Sequence, residues 1–121
     1  METKKTLVMG ASTEPSRYAY KAIKMLQRFG HPVVALGKKQ DSLDGVTIEK
    51  EPVPFEDVNT VTLYLNPTNQ KPYYEYIVGL KPERVVFNPG TENPELYALL
   101  RQNGIGIEVA CTLVMLSIHQ Y

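Results

Sequence analysis

With 121 residues, 43% of them hydrophobic and 21% charged, the chain has the size and make-up of one ordinary globular domain covering residues 1–121. Thirteen Lys and Arg balance thirteen Asp and Glu, and a net charge of zero excludes a general electrostatic affinity for nucleic acid while allowing a local anion pocket. A single cysteine excludes an internal disulfide, and no apolar run approaches the roughly 20 residues of a bilayer-spanning helix.

Met1 to Lys5 leads directly into a strand without the pattern of a signal peptide, so a cytoplasmic home with no membrane partner is expected. Thr6–Met9 is that strand, and it runs into the small-residue loop Gly10-Ala11-Ser12-Thr13. A helix begins near Ser16: Ala19, Ala22, Ile23 and Leu26 recur at i, i+3, i+4 and i+7, with Lys21, Lys24 and Arg28 on the outer face. Gly30 closes it in the left-handed conformation. Val33–Leu36 is a second strand, and four consecutive apolar residues point to burial on both faces, as in a parallel sheet.

Between Gln40 and Asn59 the pattern fades. Asp44-Gly45 is a turn signal, Val46–Ile48 a short strand, and Pro52 and Pro54 prevent regular pairing. Thr60–Leu65 resumes the rhythm as a strand. After Asn66-Pro67-Thr68, one helix carries Tyr73, Tyr76, Ile77 and Leu80 on a single stripe. Arg84–Phe87 is a strand and Asn88-Pro89-Gly90-Thr91 a loop. Asn93 caps a helix with Pro94 in its first position, and Leu96, Leu99, Leu100 and Asn103 form its inner face. Gly104 ends that helix, Ile105–Val109 is the last strand, and Thr112–Ile118 is a closing helix. Strands and helices alternating through short loops predict a Rossmann-like, doubly wound α/β fold. Its mainly parallel sheet of about five strands lies between helices in three α/β/α layers.

Ligands of such sheets bind outside the carboxyl ends of the strands. Gly10 to Thr13 lacks bulk, so backbone N–H groups can approach an anion at the start of the helix. Ser12 and Thr13 add hydroxyls, and Arg17 offers a bidentate phosphate contact. The full G-x-G-x-x-G pattern is absent, with Ser12 and Pro15 at the second and third Gly positions, and a plain tight turn is the competing reading. Gly37-Lys38-Lys39 ends the second strand where an NAD-binding protein places an acid. Two ammonium groups favour a phosphorylated ribose or a pyrophosphate, unless they are simply solvated. Asn66-Pro67 and Asn88-Pro89-Gly90 fall on the same edge and also suit ordinary turns. Cys111 follows the last strand, either facing the ligand edge or buried as a structural thiol. His31 belongs at the opposite end of the sheet, no nucleophile–base set is legible, and two His with one Cys make a zinc site improbable.

The order and spacing of these pieces resemble the small stand-alone CoA-binding proteins, which are related to the amino-terminal CoA-binding domain of the succinyl-CoA synthetase alpha subunit. The resemblance runs through Val8 to Ser12, Pro15 to Tyr18, Val33 to Lys39, Leu65-Asn66-Pro67 and Glu108 to Leu113. It implies that Gly10, Ala11, Ser12 and Thr13, with Arg17 and Tyr18, contact the phosphates of CoA. It also implies that Gly37, Lys38 and Lys39 stand where the family has Asn-Pro-Lys, Lys39 matching the lysine. Asn66-Pro67 matches the family's proline-bearing loop and Cys111 its closing Cys, while Asn88, whose loop departs from the family pattern, is expected from its place on the ligand edge. The family's closing Asp-Arg-Cys is here Val109-Ala110-Cys111. The phosphohistidine-bearing second domain of the synthetase has no counterpart in this chain, so ligase activity is not implied.

The expected function is therefore non-catalytic binding of CoA or acyl-CoA, without a metal, with the pyrophosphate at Gly10–Thr13. Cys111 could form a mixed disulfide with the CoA thiol. Two other readings stand beside it: an NADP-binding Rossmann enzyme or sensor, and an interaction module with a vestigial pocket, a homodimer or bound to a protein partner.

Overall fold

Runs of apolar and β-branched residues become buried parallel strands, and the striped segments become the helices that cover them. The structure, a computed structural model, describes residues 2–121. Its strands are β1 (Thr6–Ala11), β2 (Val33–Gly37), β3 (Asp41–Leu43), β4 (Val46–Glu49), β5 (Thr60–Leu63), β6 (Arg84–Phe87) and β7 (Gly106–Val109). Its helices are α1 (Tyr18–Arg28), α2 (Pro67–Gln70), α3 (Tyr74–Leu80), α4 (Pro94–Gln102) and α5 (Thr112–Ser117), with a 3₁₀ turn at Lys71–Tyr73. One sheet results, in the order β3-β4-β2-β1-β5-β6-β7, and every neighbouring pair is parallel except β3 with β4. The fold is Rossmann-like α/β.

Strand alternation sorts the core into two layers. Val8 and Ala35 point towards α1 and α5, packing with Ala19, Ile23, Leu26 and Leu116. Leu7, Met9 and Leu36 point the other way, into a layer with Ile77 of α3 and Leu96 and Leu100 of α4. Gly30, just past α1, has φ of 84°, the left-handed conformation that ends the helix.

Seven strands replace the expected five or so. The unannounced strand is β3, which pairs with the expected short strand β4 to make a hairpin on the β2 side of the sheet. Asp41-Ser42-Leu43 has no apolar run to announce a strand. Its turn is the expected Asp44-Gly45, with φ of 48° and 82°, the paired positive angles of a two-residue type I′ hairpin. The single helix expected after Asn66 is broken into α2, the 3₁₀ turn and α3. Pro72 lies at the break, and proline has no N–H to continue a helical ladder. Asn103, expected on the inner face of α4, is exposed, and its Nδ2 donates to the Leu99 carbonyl at 2.8 Å.

At the amino ends of the strands sits a polar cluster built around His31. This imidazole is 7% exposed, and its Nδ1 accepts the Lys4 backbone N–H at 2.9 Å. The Tyr121 ring meets it edge-on, and the Arg84 guanidinium lies 4.5 Å from the centre of that ring. Burial first, then the positive charges of Lys4 and Arg84, hold the His31 pKa below its ordinary 6.5. The unfolded chain therefore takes up the proton first. The neutral imidazole's contribution is complete above pH 6.5 and is lost as pH falls from there through the lowered folded value. Urea unfolding from about pH 7.5 to 5 should show the native protein losing stability by up to about 1.4 kcal/mol per pH unit more steeply than His31→Asn. Parallel pH curves would clear His31 of this role.

Candidate functional site

Two glycines shape the carboxyl edge. Pairing passes from Met9 with Leu36 to Ala11 with Gly37, so Gly10 is an extra residue, a bulge in β1. Its φ is 89°, and a Cβ there would lie 3.0 Å from the backbone C and O of Tyr64. A Cβ on Gly37 would lie 2.6 Å from the Ala11 carbonyl oxygen and 2.8 Å from Ile48 Cγ2. With the strand ends this close, the loops that follow β1 and β2 diverge. Between them, and extending across the end of β5 to the loop after β6, opens a cleft of about 700 Å³.

Gly10, Ala11, Ser12 and Thr13 line one side of the cleft, with Arg17 and Tyr18 at the start of α1. Gly37, Lys38 and Lys39 line the facing side, and Asn66 stands at the far end. Ser12 Oγ accepts the Glu14 N–H at 3.0 Å and keeps its own proton to donate. The Thr13 hydroxyl is used differently from the sequence expectation: its Oγ1 donates to Asp41 Oδ2 at 3.2 Å. Arg17 is the extended residue before α1, and no side chain caps that helix. The first backbone N–H groups of α1 are therefore open to an acceptor, with the positive end of the helix dipole behind them. Arg17, Lys38 and Lys39 are exposed. Tyr18 is also exposed, with Lys21 Nζ 5.3 Å from its ring centre. The combination can bind a polyanion: N–H donors and a hydroxyl on one side, mobile cations on the other.

Three expected residues lie elsewhere. Pro67 is the exposed first residue of α2, where its missing N–H costs nothing. Asn88 is 2% exposed and fully engaged: Nδ2 donates to Thr62 Oγ1 at 2.7 Å and to the Leu63 carbonyl at 2.9 Å, and Oδ1 accepts the Thr112 N–H at 2.8 Å. It joins β5, β6 and the start of α5. Cys111 is a half-buried free thiol that precedes α5, beyond the cleft lining.

The cleft also has walls that the sequence reading did not name: Asp41, from β3, is an acid beside Glu14 in the lining, and Asn69 and Tyr73 join Leu65 and the Pro89–Thr91 loop at the far end. Tyr64, just past β5, lies against Gly10, and burial, with the nearby Cys111 adding to it, raises its hydroxyl pKa. Asn66 Oδ1 accepts the Asn69 N–H at 2.8 Å, which sets the first turn of α2. The far loops are tied by Gln70, which is fully buried. Its Nε2 donates to the carbonyls of Leu65 and Thr91, both at 2.8 Å, and its Oε1 accepts from Asn93 Nδ2 at 2.8 Å. A lone Gln in a polar segment carries no sequence signal for such a bridge. Among the described residues, no group of three or more His, Cys, Asp or Glu is placed to hold a metal ion, and no helix is long and apolar enough to cross a membrane.

A mostly parallel, Rossmann-like sheet with a glycine-shaped cleft at its carboxyl edge defines the class of protein. Within that class, the chain belongs to the CoA-binding domain family, whose model matches residues 4–117. It is similar to a crystal structure described only as that of an uncharacterized protein, with 50% identity over 100% of both chains and a TM-score of 0.97. It is also similar to a hypothetical protein from Pyrococcus horikoshii OT3, at 26% identity over 93% of this chain and 80% of that one, with a TM-score of 0.82. The dinucleotide-forming acetyl-coenzyme A synthetase 1 of Ca. Korarchaeum cryptofilum, solved with phosphate and ADP, shares the fold at 17% identity. There the match covers 87% of this chain but 25% of the synthetase, with a TM-score of 0.68. A comparison with curated proteins gives no match.

Proposed function

We propose that this chain is a single cytoplasmic domain that binds CoA or an acyl-CoA in the cleft and performs no chemistry on it. The observation that carries this reading is the open, uncapped start of α1 beside Gly10–Thr13, facing Lys38 and Lys39 across one cleft, in a member of a CoA-binding family. The pyrophosphate sits on the N–H groups of Gly10–Thr13 and α1, with Ser12 and Arg17 completing its contacts. Lys38 or Lys39 meets the 3′-phosphate, and Tyr18 and Asn66 flank the ligand. Pro67, Asn88 and Cys111 serve the site at a distance, by holding the loops and the end of the sheet. The lysines also suit the 2′-phosphate of NADP, which makes an NADP-binding sensor the second reading.

Thermal unfolding with CoA, dephospho-CoA, NAD and NADP tests the proposal. A ligand at a hundredfold its Kd that binds only the folded state adds about 2.7 kcal/mol. CoA should raise the transition temperature accordingly, and NAD should not. Lys39→Ala should remove the preference of CoA over dephospho-CoA, whereas Arg17→Ala should weaken both. No shift at saturating CoA would overturn the proposal, and a larger shift with NADP would favour the second reading.

A further inference from the structure

The end of β2 carries lysines where a dinucleotide fold places an acid, yet the cleft does contain a carboxylate on that wall. Asp41 opens β3 and lines the cleft with Lys38 and Lys39. Its position is fixed twice over. Asp41 pairs with Ile48 in the hairpin, and Ile48 pairs in turn with Ala35 of β2, so the carboxylate rides on the sheet itself. Its oxygens are held as well, Oδ1 by the Ser42 N–H at 2.8 Å and Oδ2 by the Thr13 hydroxyl at 3.2 Å. A carboxylate oxygen has lone pairs for two donors, so each can accept one more hydrogen bond from a ligand.

We infer that Asp41 is the specificity residue of this cleft: it accepts the 2′-hydroxyl of a nucleotide phosphorylated at the 3′ position and rejects one phosphorylated at the 2′ position. This inference rests on the cleft being the nucleotide site proposed above. An acid beside the end of β2 in this fold accepts from ribose hydroxyls. Here it shares the cleft with Lys38 and Lys39 instead of standing alone. A 3′-phosphoadenosine satisfies both, its phosphate on a lysine and its free 2′-hydroxyl donating to Asp41. A 2′-phosphoadenosine places a dianion against the carboxylate, and like charges in contact penalise that ligand even with lysines nearby. Thr13 joins the two ends of the site, because the residue that offers its backbone N–H in the phosphate loop also orients Asp41 through its side chain.

Titrations of the full chain with adenosine 3′,5′-bisphosphate and adenosine 2′,5′-bisphosphate, with CoA as reference, decide the matter. The native protein should favour the 3′,5′ isomer by about tenfold, the scale of one hydrogen bond to a charged group. Asp41→Asn should bring the two isomers to within about threefold, chiefly by improving the 2′,5′ isomer as the repulsion is removed. Thr13→Val keeps the backbone N–H and the carboxylate but removes the bond that orients Asp41, and should narrow the ratio as well. If CoA binds but the isomers bind equally to the native protein, or the ratio is unchanged in both variants, the Asp41 assignment is overturned and the CoA reading stands. If CoA itself does not bind, both fall.

Discussion

Gly37→Ala is expected to cost about 3 kcal/mol, the upper end of what overpacking a well-filled site costs, and to lower the transition temperature by roughly 10 °C. The added methyl would lie 2.6 Å from the Ala11 carbonyl oxygen, a backbone atom that cannot rotate away, and 2.8 Å from Ile48 Cγ2. Relief requires the ends of β1 and β2 to part. Those ends set the separation of the Gly10–Thr13 loop from Lys38 and Lys39, so ligand affinity should fall with stability. Gly79→Ala is the matched control. Gly79 lies within α3, and a Cβ there meets nothing within 4 Å. That change should stabilise by about 0.5–1 kcal/mol through helix propensity alone. Thermal melts of the two variants should therefore move in opposite directions. An unchanged melting temperature for Gly37→Ala would mean that the strand ends are not in contact.

The second large effect is Asn88→Leu, a change of similar volume. It leaves the Thr112 N–H and the Leu63 carbonyl without their partners, while Thr62 Oγ1 keeps the Thr112 hydroxyl at 2.8 Å. Two buried groups stranded at about 1–3 kcal/mol each predict a loss near 4 kcal/mol by denaturant unfolding. Because Asn88 lies outside the cleft, affinity measured where the variant is still folded should change less than threefold, about 0.6 kcal/mol. Intact stability with lost affinity would instead put Asn88 in contact with ligand.

These two residues also show how far the sequence could be read. The apolar runs of β1, β2 and β6 and the Asn93-Pro94 start of α4 were legible because period, cap and breaker agreed at each. Of the hairpin, the turn and the second strand are legible and the first strand is not, because Asp41-Ser42-Leu43 is too short and polar for a period to register. For the site, the rule that ligands meet the carboxyl ends of strands points to the loops after β1, β2, β5 and β6, and residues of all four line the cleft. It says nothing about which way a side chain leaves a strand end, and Asn88 turns into the protein. It also says nothing about strand order. Cys111 follows the edge strand β7, but the chain there turns back over the sheet, Thr112 sharing a 2.8 Å hydrogen bond with Thr62 of β5, and leaves Cys111 beyond the cleft lining. Asp41 reaches the cleft only through tertiary packing, which no local pattern encodes.

The strand order has a kinetic side. β1 lies at the centre of the sheet, and one of its two neighbours, β5, comes from half a chain away, Thr6 aligning with Thr60. Such distant pairings make folding slow, because the connecting chain must be ordered before the contact is gained. The Gly10–Thr13 loop, Lys38 and Lys39 belong to the first β-α-β unit and its end, but Asn66 and Pro89–Thr91 join them only after β5 and β6 have docked. A ligand that needs all of them finds no complete site in the transition state for folding. CoA should therefore leave the refolding rate of this chain nearly unchanged and slow its unfolding.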